Sequence, residues 1–197
     1  MKITLGIPTN RGVKAKTAKS LLELDRLGHE FHVVMATEGY TTAENRNYVA
    51  IQALNANSDW LLFVDDDMIF PPETLRKMLE TGKEVVGVNS NSRTLPLSST
   101  VAPIDENGRY KPLKDFPEGY ELPKELFECH AVGGGVLLIK TEVLKVVGRP
   151  WFDVTTTELG KILMGEDAWF CSLAREKGYK IWCEGSIQIG HIGDYTY

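Results

Sequence analysis

Blocks of hydrophobic and polar positions alternate along this chain in a way that predicts strands and helices in turn. The predicted strands, where apolar and β-branched residues cluster, comprise residues 2–8, 31–36, 59–64 and 84–88. Apolar residues at helical spacing predict helices between them, at residues 14–27, 41–56 and 72–79. Thr41 and Glu44 fit a capping box at the start of the second helix. Gly28 and Gly82 follow two of the helices as stop signals.

This alternation predicts an α/β fold whose central sheet has mainly parallel strands. Right-handed crossovers place the ends of the first three strands, Pro8, Ala36 and Val64, along one edge of the sheet. Ligands of such folds bind at the carboxyl ends of the strands. We therefore expect the loops after these three strands to surround one crevice.

The pattern changes after residue 88. Residues 89–128 are rich in Pro, Ser and Asn and show little periodicity, which predicts a substrate-facing insertion. The elements predicted beyond it are a strand at 131–139, helices at 142–147 and 166–177, and strands at 179–184 and 187–189. We expect a single domain over residues 1–197.

Composition narrows the class of protein. A hydrophobic fraction of 43% and a charged fraction of 25% are typical of a globular protein, and a net charge of −5 argues against nucleic-acid binding. No apolar run approaches the roughly 20 residues of a membrane span. The N-terminus fits a first strand better than a signal peptide. Three cysteines without CxxC spacing predict buried free thiols and a reducing, cytoplasmic location.

Three adjacent acids, Asp65, Asp66 and Asp67, directly follow the apolar run at 61–64. Neighbouring carboxylates repel one another and resist burial, so a divalent cation is expected beside them. Alternate residues of a strand share a face, which places Asp65 and Asp67 together as ligands for Mg²⁺ or Mn²⁺. A solvated acidic turn is the alternative.

Two further polar sites lie in the second half of the chain. Glu166 and Asp167 begin a predicted helix, where they either complement the helix dipole or supply a general base to the crevice. His191 lies between Gly190 and Gly193. An imidazole there either has a structural role or completes a manganese site with two aspartates.

Glycines and arginines give the remaining candidates. Gly133, Gly134 and Gly135 indicate either a bulge or a ligand that passes close to the backbone, with equal weight. Arg11 and Arg46 fall near the crevice, where either could pair with a diphosphate. For Arg46 the exposed side of a helix is the competing location.

The motifs of this chain follow one another in a recognisable order over nearly its whole length. They are Ile7-Pro8-Thr9, Arg46-Asn47, Phe63-Val64-Asp65-Asp66-Asp67, Val132 to Ile139, Pro150-Trp151-Phe152, Glu166-Asp167, Gly178 to Ile181 and His191-Ile192-Gly193. In this order they resemble the GT-A glycosyltransferases, in particular the small family-2-like enzymes. The resemblance implies a Rossmann-like GT-A fold with a mixed, mostly parallel sheet. Residues 1–88 would form its nucleotide-binding half and residues 129–197 its acceptor and metal half.

The resemblance also implies an activity, the transfer of a sugar from a nucleotide-diphosphate sugar to an unknown hydroxyl acceptor with Mn²⁺ or Mg²⁺. The three acids would stand as the DxD motif. Asp67 would bind the metal, Asp65 the ribose or a metal-bound water, and His191 would complete the metal site. Asp167 would be the base of an inverting enzyme, and Glu166 would position the acceptor.

Donor-binding residues follow from the same resemblance. Pro8, Thr9 and Arg11 would line the base and ribose pocket. Glu38 is the only acid where many relatives carry an acid-rich turn after the second strand, so the nucleotide is not identified. Asp66, Arg46 and the glycines at 133–135 complete the predicted donor site. The chain ends six residues after His191, so the acceptor site is expected to come from residues 89–128, from a partner in a homo-oligomer, or from both.

Two other functions compete with sugar transfer, and a third is excluded. A nucleotidyltransferase that makes sugar nucleotides would usually carry a glycine-rich, basic loop after the first strand, and residues 8–12 contain only one glycine. A non-catalytic sugar-nucleotide binder would not need all of Asp65, Asp67, Asp167 and His191. An aspartyl phosphatase would want an acid pair near the first strand, and none is present.

Overall fold

The first strands and helices alternate as the hydrophobic pattern predicts. The computed structural model describes residues 1–39, 41–91 and 98–193. The first part of the chain contains β1 (Lys2–Pro8), α1 (Ala15–Glu23), β2 (Glu30–Ala36), α2 (Thr42–Asn55), β3 (Trp60–Val64), β4 (Met68–Ile69), α3 (Thr74–Glu80) and β5 (Val85–Gly87). The second contains β6 (Leu126–Cys129), β7 (Val136–Lys140), α4 (Thr141–Val147), β8 (Thr155–Thr156), β9 (Ile162–Met164), α5 (Glu166–Glu176), β10 (Ile181–Glu184) and β11 (Gly190–His191). A 3₁₀ turn at Leu113–Asp115 lies between them.

Seven strands form the central sheet in the order β2-β1-β3-β7-β5-β10-β6. β1 pairs in parallel with β2 and β3, and β10 pairs in parallel with β5. β7 is antiparallel to both of its neighbours, and β6 is antiparallel to β10. Five strands therefore run in one direction and two in the other, which confirms the mixed, mostly parallel sheet. In the register Pro8 lies opposite Ala36, so the first three strands end at one edge.

The two faces of the sheet bury separate hydrophobic clusters. β3 shows why: Leu61 and Phe63 pack on the side of α2, α4 and α5, whereas Leu62 and Val64 pack on the side of α1 and α3. The side-chain period of two sends successive residues of a strand to opposite faces. Because β3 is buried on both faces, its sequence is a continuous apolar run, and the acids directly after it lie at the edge of the core.

Helix α2 begins as its capping box predicts. The Thr41 hydroxyl accepts a hydrogen bond from the Glu44 amide, and the Glu44 carboxylate accepts one from the Thr41 amide. Helix α1 is shorter than the predicted 14–27. Its last residue is Glu23, since Leu24 leaves the helical conformation and packs into the core, and Leu27 and Gly28 both have positive φ.

The second half corrects three predictions. The strand predicted at 131–139 begins only at Val136, so the glycine triplet precedes it instead of lying in it. The 89–128 segment, of which residues 92–97 lie outside the described part, contains strand β6. A strand predicted at 187–189 is replaced by β11 at Gly190–His191, which pairs antiparallel with β4.

The cysteines confirm the expectation of buried thiols. Cys129, Cys171 and Cys183 are all buried and free. Burial raises the pKa of all three, that of Cys171 and that of Cys183 to about 12, so they remain protonated and unreactive. Within the described residues, no helix combines the length and apolar character that crossing a membrane requires.

Candidate active site

The three acids lie in a turn, because strand β3 ends at Val64. The Asp65 amide donates to the carbonyl of Gly135 at 2.9 Å, and the Met68 amide donates back to the Asp65 carbonyl at 3.3 Å. The strand geometry assumed from the sequence, with Asp65 and Asp67 on one face, is therefore wrong. Each carboxylate turns to a different partner, although all three border the same cavity.

Asp66 fixes the loop after β1. Its carboxylate accepts a hydrogen bond from the hydroxyl of Thr9, and the same hydroxyl accepts from the amides of Arg11, at 3.3 Å, and Gly12, at 2.9 Å. A threonine hydroxyl that caps the amides two and three residues ahead holds a turn in shape. Thr9 thus connects the two strand ends that face the crevice.

Asp67 meets His191 because two short strands pair. In the β4–β11 ribbon His191 lies opposite Met68, and the amide of Ile192 donates to the Asp67 carbonyl at 2.9 Å. This brings His191 Nε2 to 3.3 Å from Asp67 Oδ1, with Asp67 only 4% exposed. The ribbon therefore joins positions more than a hundred residues apart in the sequence.

The tautomer of His191 follows from its other nitrogen. Nδ1 lies 2.8 Å from the carbonyl oxygen of Asn91, and a carbonyl only accepts, so Nδ1 carries the hydrogen. Nε2 then faces the Asp67 carboxylate, and two lone pairs so close require a proton or a cation between them. Imidazole and carboxylate suit Mn²⁺, and a ligating histidine typically donates its other N–H to a backbone carbonyl. The pair therefore fits a divalent metal.

Asp65 does not join this pair, because it is bound to Arg46. Arg46 Nη2 lies 2.8 Å and 3.0 Å from the two oxygens of Asp65. Within the described ranges no cluster of three or more His, Cys, Asp or Glu side chains could hold a metal. Asp67 and His191 are paired in this structure, and the role of Asp65 as a third metal ligand stays a prediction.

Arg46 is the buried cation of the site. Beyond Asp65, its Nη1 donates to the Gly134 carbonyl at 3.1 Å, and its Nε donates to Glu166 at 3.4 Å. Burial lowers the pKa of Arg46, but the carboxylates of Asp65, Glu166 and Asp167 outweigh burial, so the net pKa is raised and the guanidinium stays charged. Neither location predicted for Arg46, an exposed helix face or a diphosphate contact, matches this burial.

The carboxyl of Asp65 is perturbed in the opposite sense to most paired acids. Its burial is the largest cause and raises its pKa, from an ordinary 3.8 to about 6. The charge of Arg46 lowers the pKa, while those of Asp67, Glu166 and Asp167 raise it again. Burial, with a smaller contribution from the three neighbouring carboxylates, therefore outweighs the effect of Arg46 on the pKa of Asp65.

The glycine triplet packs against protein atoms. A Cβ at Gly133 would lie 2.7 Å from Thr100 Cβ, one at Gly134 would lie 2.6 Å from Arg46 Cζ, and one at Gly135 would lie 3.0 Å from Met68 Cε. Of the two alternatives left open by the sequence, this geometry favours a close approach, but by side chains of the same chain. The triplet lets Arg46 and Met68 lie under the backbone that enters β7.

Glu166 and Asp167 lie at the N-terminus of α5, beside the acids of β3. The Asp167 carboxylate accepts a hydrogen bond from the amide of Gly134 at 3.2 Å and one from the amide of Ala168 at 2.7 Å. Glu166 contacts Arg46. Fold topology thus brings the acid pair of α5 and the acids after β3 to the same edge of the sheet.

The family described as glycosyl transferase family 2 matches residues 7–131, more than half of the chain. The chain belongs to glycosyl transferase family 2. No curated protein sequence matches it.

Solved structures similar to this family 2 chain share its fold. A197 from STIV has a TM-score of 0.66 at 20% identity, covering 98% of this chain and 87% of A197. GalNAc-T7, solved with UDP, GalNAc and Mn²⁺, has a TM-score of 0.62 at 13% identity, and TarS of S. aureus has 0.50 at 19%. The chain is covered completely in both, but spans only 43% of GalNAc-T7 and 59% of TarS. The predicted GT-A fold is confirmed.

Half of the predicted site residues of this family 2 chain line one cavity of about 290 Å³. Those that line it are Pro8, Thr9, Arg11, Asp65, Asp66, Asp67 and His191. Glu38 lines a second cavity, of about 460 Å³, at the end of β2. The other predicted residues, Arg46, Gly133, Gly134, Gly135, Glu166 and Asp167, do not line the first cavity.

Sequence reasoning missed Asn45 and did not explain Asn47. Asn45 is buried in the first turn of α2, accepts a hydrogen bond from Gly39 at 2.8 Å and lines both cavities. Asn47 donates to the Phe152 carbonyl at 2.6 Å and accepts from the amides of Trp151 and Phe152. The available signal in the sequence was the three consecutive polar residues Asn45, Arg46 and Asn47, in a part of α2 that packs against the core.

Proposed function

We propose that this protein is a metal-dependent glycosyltransferase that moves a sugar from a nucleoside-diphosphate sugar to a hydroxyl acceptor with inversion. The observation that supports it is the Asp67–His191 pair, which lies at a cavity between the ends of β1 and β3. The tautomer of His191 requires a proton or a cation between the two side chains. Family membership and the manganese and UDP present with GalNAc-T7 support the same reaction.

In this proposal the 290 Å³ cavity holds the donor. Pro8 and the Thr9 loop form its wall, and the exposed guanidinium of Arg11 pairs with the diphosphate. Glu38 and Asn45, at the adjoining cavity, contact the nucleoside.

Asp67 and His191 hold the metal in the proposed site. When bound, a divalent ion would offset the negative charge that develops on the leaving diphosphate. Asp65 lies beside this pair, with its carboxylate held by Arg46, within reach of the ribose. Mn²⁺ and Mg²⁺ both suit the oxygen ligands.

Asp167 is the proposed base, and it removes the proton of the attacking acceptor hydroxyl. Two backbone amides, those of Gly134 and Ala168, hold its carboxylate in place. Glu166, proposed to position the acceptor, is itself held by Arg46. A base on the face opposite the leaving group gives inversion at the sugar.

The test is a thermal-shift experiment with UDP-, GDP- and dTDP-sugars, each with Mn²⁺. We expect one nucleotide to raise the Tm, and a chelator to abolish the rise, because donor binding would depend on the ion that Asp67 and His191 would hold. His191→Ala should lose the shift, whereas the control His29→Ala, distant from the cavity, should keep it. A wild-type Tm that no nucleotide and metal combination changes would overturn the proposed donor site.

A further inference from the structure

Arg46 joins three segments of the chain that are distant in sequence. It is 1% exposed, and its guanidinium contacts Asp65 at the end of β3, Gly134 in the loop before β7, and Glu166 at the start of α5. Each of its three nitrogens, Nε, Nη1 and Nη2, thus points to a protein oxygen. A buried charge is costly unless it is paired and hydrogen-bonded, so these contacts are held together.

Phe63 and Gly134 both pack closely against the guanidinium. The ring of Phe63 lies 5.2 Å from Arg46 Cζ, and a Cβ added to Gly134 would lie only 2.6 Å from the same atom. A planar fork held in this way has little freedom to rotate. Its contacts therefore fix the relative positions of the end of β3, the loop at residues 133–135 and the start of α5.

Gly134 extends this relation to Asp167. Its carbonyl accepts from Arg46 at 3.1 Å while its amide donates to the Asp167 carboxylate at 3.2 Å. Arg46 thus contacts Glu166 directly and is connected to Asp167 through the backbone of a single residue, Gly134.

We infer that Arg46 is a positioning residue that holds the Glu166–Asp167 pair at a set distance from the acids after β3. The inference rests on the proposed function, in which Asp67 serves the donor and Asp167 is the base. A base must lie within hydrogen-bond reach of the acceptor hydroxyl, and a displacement near 1 Å is costly to the rate. Arg46 would then affect the rate of transfer more than the donor affinity, to which it contributes only through its hold on Asp65.

The structural part of the test does not depend on activity. In a ¹⁵N-labelled sample the Arg46 Nε–Hε signal, assigned by its loss in Arg46→Lys, should exchange slowly with solvent and should move in Glu166→Gln. Glu80→Gln, which removes the carboxylate partner of exposed Arg76, should leave it in place. A fast-exchanging signal, or one that Glu166→Gln does not move, would overturn the inference even for an inactive protein.

The kinetic part compares Arg46→Lys and Gly134→Ala with wild type. Lysine keeps the charge but loses the fork, and the alanine Cβ displaces the guanidinium without removing a polar group. We expect kcat to fall at least tenfold in both variants, which is on the order expected for misplaced catalytic groups. The donor KM should stay within about threefold of the wild-type value, and the Tm shift caused by Mn²⁺ and nucleotide should stay within about 1 °C of it. Arg175→Lys, at the far end of α5, is the control and should keep wild-type kcat.

The outcomes separate the inference from the proposed function. A donor KM that rises while kcat is unchanged would show that Arg46 binds the donor directly, and wild-type kinetics in both variants would also overturn the inference. If the wild type neither binds nucleotide nor transfers sugar, the proposed function fails, and the NMR comparison still decides whether Arg46 positions Glu166. Should Arg46→Lys fail to fold, Gly134→Ala and Glu166→Gln give the same comparison.

Discussion

One buried arginine and one histidine share the acids of this site, and that imbalance sets its chemistry. Arg46 contacts Asp65 and Glu166, while His191 faces Asp67. Because carboxylates outnumber the cations beside them, the unliganded site carries unfavourable repulsion. A divalent metal ion would relieve it, so the residues that repel one another in the unliganded site include those proposed to bind the metal.

Asp65 gives a prediction for stability against pH. Its pKa is about 6 in the folded chain against an ordinary 3.8, so the folded state binds this proton more tightly. The associated stabilisation is complete below the ordinary value and is lost as pH rises through about 6. This difference in pKa corresponds to a loss of at most roughly 3 kcal/mol in the free energy of unfolding.

The measurement is urea unfolding with a chelator present, from pH 4.5 to 6.5. Over this range the free energy of unfolding of wild type should fall relative to that of Asp65→Asn, which has no such proton to lose. Asp115→Asn, an exposed acid in the 3₁₀ turn, should follow wild type. Parallel curves for wild type and Asp65→Asn would contradict the prediction.

Asp167→Asn tests the assignment of the base. The amide is nearly isosteric and can still accept from Gly134, so donor binding should be retained, but it takes no proton from the acceptor. Transfer should fall by about 10²–10⁴-fold, the usual contribution of a general base. Product formation is measured with saturating donor, and Glu176→Gln at the other end of α5 should transfer normally. Transfer at the wild-type rate in Asp167→Asn would remove this residue from the mechanism.

At the scale of elements, α2 and the strand ends position the site. The elements β1 to β3, α2 and α5 were predictable from apolar runs, from helical spacing and, for α2, from the capping box. The ribbon strands β4 and β11, with two residues each, are too short to show any period. The sequence offered a metal site shared by His191 and two aspartates as one of two alternatives, and the pairing register that joins Asp67 to His191 is a tertiary property. The divergence of Asp65 from Asp67 depends on where β3 stops, which a continuous apolar run does not reveal.

The capping box of α2 gives a prediction at this scale. Thr41→Ala removes the hydroxyl that accepts from the Glu44 amide at 3.1 Å, which should cost about 1 kcal/mol of stability. Lys140 occupies the corresponding N-cap position of α4 but makes no side-chain cap, so Lys140→Ala should cost much less. Both are compared by the midpoint of urea unfolding. Equal losses in the two variants would show that the cap contributes little.

At the scale of the whole molecule, the site joins the first half of the chain to its last described residues. The cavity is built by the loops after β1 and β3, and the sequence predicted this because parallel strands with right-handed crossovers end at one edge. The strand that carries His191 reaches that edge from the opposite end of the chain, and each strand of its ribbon has two residues. Such a short ribbon opens easily unless something else stabilises it.

This weakness makes the β4–β11 ribbon a sensor of metal and donor binding. The Ile192 amide, which donates to the Asp67 carbonyl at 2.9 Å, should exchange its hydrogen readily in the free protein. If Asp67 and His191 hold the metal, opening of the ribbon releases the ligand. The population of the open ribbon then falls by a factor of one plus the ratio of free ligand concentration to Kd. With Mn²⁺ and nucleoside diphosphate at 100 times Kd, exchange at Ile192 should slow by about 100-fold.

Hydrogen exchange followed by NMR or mass spectrometry measures this, with Mg²⁺ replacing paramagnetic Mn²⁺ for NMR. The Ala56 amide, bonded to Gln52 at the far end of α2, serves as the internal control, because its local fraying does not release the ligand. Slower hydrogen exchange at Ile192 without a matching change at Ala56 would show that ligand binding stabilises the ribbon. Equal protection of Ile192 with and without ligand would mean that metal binding does not depend on this pairing, and His191 would lose its assigned role.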